Sequence, residues 1–224
     1  MTIDELAHIT AANGLELSDN QRAKLERYGA LLREANAVVN LISRKDEENI
    51  LSKHILHSLT LAMPSVIGFA IPPNATVFDI GTGGGLPGIP LKIVRDDLRM
   101  VLCDSIGKKI AAVEKIVNQL ALADVNAIAQ RSEVLAQNEQ HRRAYDVVVS
   151  RAVAPLDELM KWTADLLKPG GTLLSLKGGD LTEEITRTKR LKGVASIAER
   201  ALALVGYEDF VTEEKKVVIV RTVG

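Results

Sequence analysis

The ten residues from Asp79, Asp-Ile-Gly-Thr-Gly-Gly-Gly-Leu-Pro-Gly, are the part of this chain best equipped to hold a small molecule. They follow the apolar run ATVFDI at 75–80, which reads as a strand, so the glycines fall at a strand-to-helix turn. Glycine lets the backbone turn tightly and come close to a ligand, and the helix behind it offers unpaired N–H groups. Asp104 ends the next apolar run, RMVLCD at 99–104, where a carboxylate can accept hydrogen bonds from the two hydroxyls of an adenosine ribose. Together these residues describe a nucleoside site at the carboxyl ends of adjacent strands. The turn by itself also fits a dinucleotide, because Gly83, Gly85 and Gly88 satisfy G-x-G-x-x-G and Asp104 lies near the expected offset. Pro87 inside that frame, and Asp79 where a dinucleotide turn needs no carboxylate, speak against NAD. His54 and His57, three apart, have a spacing that can supply two metal ligands, but no cysteine and no H-E-x-x-H pattern completes a site. Packing of a histidine against the domain is the expectation there. Cys103, in an apolar strand, reads as a small core residue.

These residues need elements to position them. Ser18-Asp19-Asn20-Gln21 has the form of a capping box, and Leu25, Tyr28, Leu32 and Ala35 recur at helical spacing to about Val39. A second helix is expected over roughly 46–63, ending at Pro64, and Ile71-Pro72-Pro73-Asn74 punctuates the chain after it. From Ala75 onward short apolar runs alternate with helical segments, the pattern of a mostly parallel sheet covered by helices. Strands are expected at 75–80, 99–104, 125–129, 145–150 and 171–176. Two last runs, 207–212 and 217–222, are joined too closely for a crossover helix and should form an antiparallel pair at the sheet edge.

Composition narrows the partners. The 224 residues are 46% hydrophobic, enough for one sizeable core, with 28 basic and 29 acidic side chains. A net charge of −1 is not that of a chain coating itself on phosphates, so an RNA contact would need a local basic face. Arg22, Lys24, Arg27, Arg33, Arg44, Lys45 and Lys53 are candidates, although acidic residues interspersed among them also fit a solvated helix face. Three Phe, three Tyr and one Trp leave little for stacking several bases, while one flipped base remains possible. MTIDELAHIT lacks the basic start and apolar run of a secretory signal, no apolar stretch reaches eighteen residues, and one cysteine makes no internal disulfide. A cytoplasmic protein is the expectation.

His54-Ile55-Leu56-His57-Ser58, the run Asp79 to Pro90, Cys103-Asp104-Ser105 with Gly107-Lys108-Lys109, Ser150-Arg151-Ala152 and Leu176-Lys177-Gly178 occur in a telling order and spacing. They resemble the glucose-inhibited division protein B family, the bacterial 16S rRNA guanine-N7 methyltransferases, over roughly residues 20 to 222. Leu166-Leu167-Lys168-Pro169-Gly170-Gly171 before a strand and a terminal strand pair likewise resembles the later half of class I methyltransferases. The family's histidine motif usually reads His-Ile-Leu-Asp-Ser, so His57 stands here at the Asp position. The resemblance implies an α/β, doubly wound class I methyltransferase sheet with an antiparallel C-terminal strand pair. A helical cap over 1–73 would cover an S-adenosylmethionine-binding domain over 74–224. It implies 16S rRNA or the 30S subunit as partner, a monomer, no metal and no membrane.

Position by position, Gly81, Gly83 and Leu86 would line the methionine and ribose part of the cofactor, Asp104 and Ser105 would meet the ribose, and Ser132 and Glu133 would flank the adenine. Arg151 would face the cofactor carboxylate or the RNA, Lys177 would orient RNA, and Asp79 would stabilise the developing purine charge or order the glycine turn. Plainer readings exist for several of these residues. Ser132 and Glu133 fit a helix N-cap with a first-turn acid, Arg151 a surface ion pair, and Lys177 a solvated loop. A small-molecule or protein methyltransferase, or a nucleotide-binding regulator without activity, would carry the same cofactor signature.

Overall fold

The computed structural model describes residues 1–224. α1 (Ile3–Ala12) and α2 (Asp19–Asn36) each begin with a capping box, Thr2 with Glu5 and Ser18 with Gln21, in which side chain and backbone exchange hydrogen bonds. Thr2-x-x-Glu5 has the same form as Ser18-x-x-Gln21. The expected helix over 46–63 is broken into pieces. Arg44–Asn49 is a 3-10 turn, Ile50–Leu56 is π-helical, α3 (His57–Leu59) is a single turn, and Thr60–Ala62 is again 3-10. Hydroxyls supply a reason: Ser58 donates to the His54 carbonyl at 2.7 Å and Thr60 to the His57 carbonyl at 2.6 Å, competing with the regular ladder. Pro64 then opens α4 (Pro64–Ile67) rather than only closing the helix before it.

The remainder alternates strand and helix. In chain order it runs β1 (Thr76–Ile80), α5 (Gly88–Val94), β2 (Arg99–Asp104), α6 (Gly107–Gln119), β3 (Val125–Ala129), α7 (Ser132–Leu135) and β4 (Tyr145–Arg151). There follow α8 (Leu156–Thr163), β5 (Leu167–Gly178), α9 (Thr182–Lys189), β6 (Val194–Ala201), α10 (Asp209–Thr212) and β7 (Lys215–Thr222). The seven strands are ordered β3-β2-β1-β4-β5-β7-β6. β1 to β5 are parallel, while β7 runs antiparallel to both β5 and β6. The order reverses direction between β1 and β4, the place where such sheets open a crevice for ligands.

The expected closing pair is present but one member lies elsewhere. No strand forms at 207–212: Tyr207 makes only an isolated bridge with Leu204, and Asp209–Thr212 is the short α10. Its apolar Phe210 is buried inward, 1% exposed, against His57 and Tyr207. The partner of β7 is β6, whose residues are exposed or half-buried and therefore carry no apolar alternation to read.

Successive strand residues feed opposite cores. Val77, Val147 and Val149 join a 40-residue cluster with α5, α6 and the N-terminal helices, including Leu25, Tyr28 and Leu32. Phe78, Ile80 and Val148 join a 15-residue cluster with Leu156, Leu159 and Met160 of α8. The N-terminal helices thus share apolar contacts with one face of the sheet, directly behind the glycine turn.

Candidate active site

The carboxyl ends of β1, β2 and β3 open onto a cleft of about 390 Å³ whose walls include Gly81, Asp104, Ser105, Ser132 and Glu133. Asp104 is 8% exposed, and its oxygens accept N–H bonds from Gly83 at 3.1 Å and Ile106 at 2.9 Å. Each carboxylate oxygen has two lone pairs, so one on each is left for a ribose hydroxyl. Gly81 has φ +66°, and a Cβ there would stand 2.6 Å from a methyl of Val153, another wall residue. Only glycine leaves this approach clear. Ser132 is the first residue of α7, with Arg131 as its N-cap, and its hydroxyl donates to Glu133 at 3.0 Å. The capping alternative therefore does not describe Ser132. Cys103 donates its S–H to the Gln130 carbonyl at 3.1 Å, and burial pushes its thiol up to about 12.

Gly83 serves this cleft through its bond to Asp104 rather than as a wall, and Leu86, 3% exposed, belongs to the core behind the turn. Lys109, Gln130 and Trp162 also line the cleft. Lys109 belongs to the Gly107-Lys108-Lys109 motif, while no motif in the sequence marks Gln130 or Trp162.

Asp79 works from beneath. Fully buried, it accepts from the Thr82 hydroxyl at 2.6 Å and the Gly88 N–H at 2.9 Å, both on one oxygen. A Cβ on Gly88 would lie 2.7 Å from that oxygen, so glycine makes the bond possible. Burial pushes the Asp79 carboxyl up to about 7, against the pull of Thr82, Gly88 and the Arg151 cation. Its second oxygen has no partner. The Tyr28 hydroxyl of α2 donates to the Gly84 carbonyl at 3.0 Å, tying the cap to the same turn. A dinucleotide would need the Gly83 and Gly88 N–H groups for its pyrophosphate. Here two carboxylates hold them, which would also repel a phosphate.

A second cleft of about 340 Å³ opens beside the first, at the ends of β4 and β5, with His54, His57, Arg151, Lys177 and Glu184 in its walls. Arg151 therefore lies on this side, not among the groups lining the first cleft. Its Nη1 donates to His54 Nδ1 at 2.7 Å and to the Lys53 carbonyl at 3.3 Å. Lys177 pairs with Glu184 at 2.7 Å, both largely buried, and also donates to the Ala154 carbonyl at 2.8 Å. Arg151 is thus not the surface ion pair of its plainer reading, nor Lys177 the solvated loop residue of its own. His57, 5% exposed, packs tilted on Phe210 with ring centres 5.2 Å apart, and burial holds its pKa well below the usual value. Ala152 stands in the walls of both clefts and has a left-handed backbone, φ +54°. Left-handed non-glycine residues concentrate where surrounding structure enforces them, often at functional sites.

The sequence pattern of the GidB family, described as rRNA small subunit methyltransferase G, matches residues 21–209. The chain belongs to this family. Its rRNA small subunit methyltransferase G relatives include that of Chlorobaculum tepidum, 42% identical over 93% of both chains. That of Roseiflexus castenholzii is 40% identical over 84% of this chain and 78% of its own. The fold alone is shared with a SAM-dependent O-methyltransferase of Thermotoga maritima, 14% identical with a TM-score of 0.53 over 86% of this chain and 71% of that one. As a GidB family member with a class I methyltransferase fold, the chain brings the cleft at the ends of β1 to β3 and a cation-bearing cleft together across one residue, Ala152.

Proposed function

We propose that this GidB family member transfers a methyl group from S-adenosylmethionine to N7 of a guanine in small-subunit ribosomal RNA. Residues 1–73 would act as a helical cap on a cofactor-binding part at 74–224, in a cytoplasmic monomer. The observation that carries the reading is the pair of clefts meeting at Ala152, in a chain whose relatives are rRNA small subunit methyltransferases. No helix of the structure is long and apolar enough to cross a membrane.

The first cleft suits the cofactor's nucleoside. Asp104 offers a charged acceptor to the ribose, Ser105 adjoins it, Ser132 and Glu133 stand where an adenine edge would be read, and the bare Gly81 backbone leaves room beside Val153. When bound, S-adenosylmethionine supplies an electrophilic methyl group on a sulfonium centre. Guanine N7 has an in-plane lone pair and no proton, so no side chain need act as a base. The chain's contribution is positioning, which supplies as much as ~7–11 kcal/mol when geometry is good. Arg151 and Lys177 would orient the base or its phosphates from the second cleft, with Lys177 itself steadied by Glu184. Asp79 holds the glycine turn in shape through Thr82 and Gly88.

Radiolabelled S-adenosylmethionine offered to the enzyme with 30S subunits, with free 16S RNA and with a protein extract tests the reading. Label is expected in 16S RNA as 7-methylguanosine after nuclease digestion. Label only in protein or in small molecules, or at another atom of the base, would refute it.

A further inference from the structure

Among the groups left over from this mechanism is a line of side chains joining the helical cap to Arg151. Arg151 donates to His54 Nδ1 at 2.7 Å. A guanidinium has only donors, so the imidazole nitrogen facing it must be the bare one, and the proton must sit on Nε2. That Nε2 is buried without a hydrogen-bond partner, and the nearest carboxylate oxygen, Asp46 Oδ2, is 3.9 Å away. Asp46 is in turn held by Lys53 at 3.5 Å. His54 is 7% exposed and lies in the π-helical turn, a rare form of helix that is frequent at functional sites. The segment that carries it also gives Arg151 the Lys53 carbonyl at 3.3 Å.

We infer that His54, as the neutral Nε2–H tautomer with Asp46 beside that nitrogen, is a positioning residue that fixes the Arg151 guanidinium in the wall of the second cleft. This deepens the proposed methyltransferase reading and rests on it for its effect on rate. The arrangement runs carboxylate, imidazole, cation, with a hydrogen bond between the last two and the Asp46 oxygen 3.9 Å from the ring nitrogen. Its last member faces substrate, and no member gives up a proton. The charged and titratable groups acting on His54 come from several elements: Asp46 and Lys53 nearby in sequence, Arg151 on β4, and Lys215 on β7, with His57 beside it. Burial is the largest influence, and together with the three cations it outweighs Asp46, keeping the ring uncharged with a pKa of about 4. A charged His54 would have a proton on the nitrogen that receives Arg151, and the contact would break.

Asparagine and glutamine separate this role from mere packing, because an Asn oxygen can take the place of Nδ1 whereas a Gln amide reaches the place of Nε2. His54→Ala should lower the methylation rate about 100-fold, the scale expected when a reacting geometry is disturbed, with cofactor affinity unchanged. His54→Asn should restore most of that loss, and His54→Gln should not. An Asn variant as slow as the Ala variant while folded would overturn the inference, as would an Ala variant as fast as the parent. Should His54→Ala fail to fold, the Asn-to-Gln ratio decides alone: Asn faster supports the inference and equal rates refute it.

A second readout needs no activity. Nitrogen-15 NMR of labelled histidine should show His54 as neutral Nε2–H across about pH 5 to 8, and Arg151→Ala, which removes the donor facing Nδ1, should release this preference. An Nδ1–H form, or protonation at an ordinary histidine pKa, would sink the positioning role while leaving the methyltransferase reading intact. Wild-type enzyme with the expected tautomer but no label in RNA would do the reverse.

Discussion

The two clefts on either side of Ala152 are built by opposite means. In the first, backbone does most of the work: a bare glycine, strand ends, and N–H groups of Gly83 and Ile106 that preset a carboxylate. In the second, side chains from different elements hold one another, Arg151 on the distant His54 and Lys177 on Glu184 of the next helix. A small ligand of fixed shape suits the first strategy, because strand ends in a parallel sheet are rigid. An RNA surface suits the second, where charged groups need to be presented yet kept from collapsing onto neighbours. Cofactor affinity and transfer rate should therefore respond to different residues.

The sharpest test is Arg151→Ala. It should cut methyl transfer about 100-fold through lost positioning while leaving the cofactor dissociation constant from calorimetry nearly unchanged. A weakened cofactor with a normal rate would reverse the division. Next comes Asp104→Ala, which removes a charged acceptor worth roughly 1.5–3 kcal/mol and should weaken cofactor binding about 30-fold. Unaltered binding would mean that the ribose lies elsewhere.

The smallest effect concerns acid. The folded protein holds the pKa of His54 down to about 4 and that of His57 well below 6.5, in each case chiefly by burial and next by the Arg151 cation. The unfolded chain binds these protons more readily, so the stability they contribute is complete above about pH 6.5 and is lost as pH falls toward 4. The Asp79 carboxyl, pushed up to about 7 by burial, gains stability as pH falls through the same window and offsets part of this loss. Thermal melts should therefore show Tm dropping by a few degrees between about pH 7 and pH 5, on the usual scale of about 2–4 °C per kcal/mol. His57→Asn should flatten that slope. An equally steep slope in the variant would place the acid sensitivity outside the second cleft.

How much of each cleft the sequence disclosed follows the same division. Asp104 ends a strand and Gly81, Ser105, Ser132 and Glu133 each come soon after one, so the strands legible in the sequence carry to one edge the residues that the family resemblance names. The His54–Arg151 contact joins residues 97 apart and has no local signature. Local pattern failed again at the cap, where hydroxyls of Ser58 and Thr60 broke an apparently regular helix, and at β6, an edge strand with little apolar burial to mark it. The run at 207–212 misled in the other direction, because Phe210 is apolar for the sake of packing on His57 and not for a sheet. Leu86 sits within the glycine motif yet faces the core, since neighbours in a tight turn need not face the same way.

Ala152 separates the two clefts with no more than a methyl group on an unusual backbone. An inhibitor made by tethering a purine to an adenosine could pass over so low a partition with a short linker and occupy both sides at once. Its grip would then report on residue 152 directly, since a bulkier side chain at that single point would stand in the way of the tether while leaving each half free to bind alone.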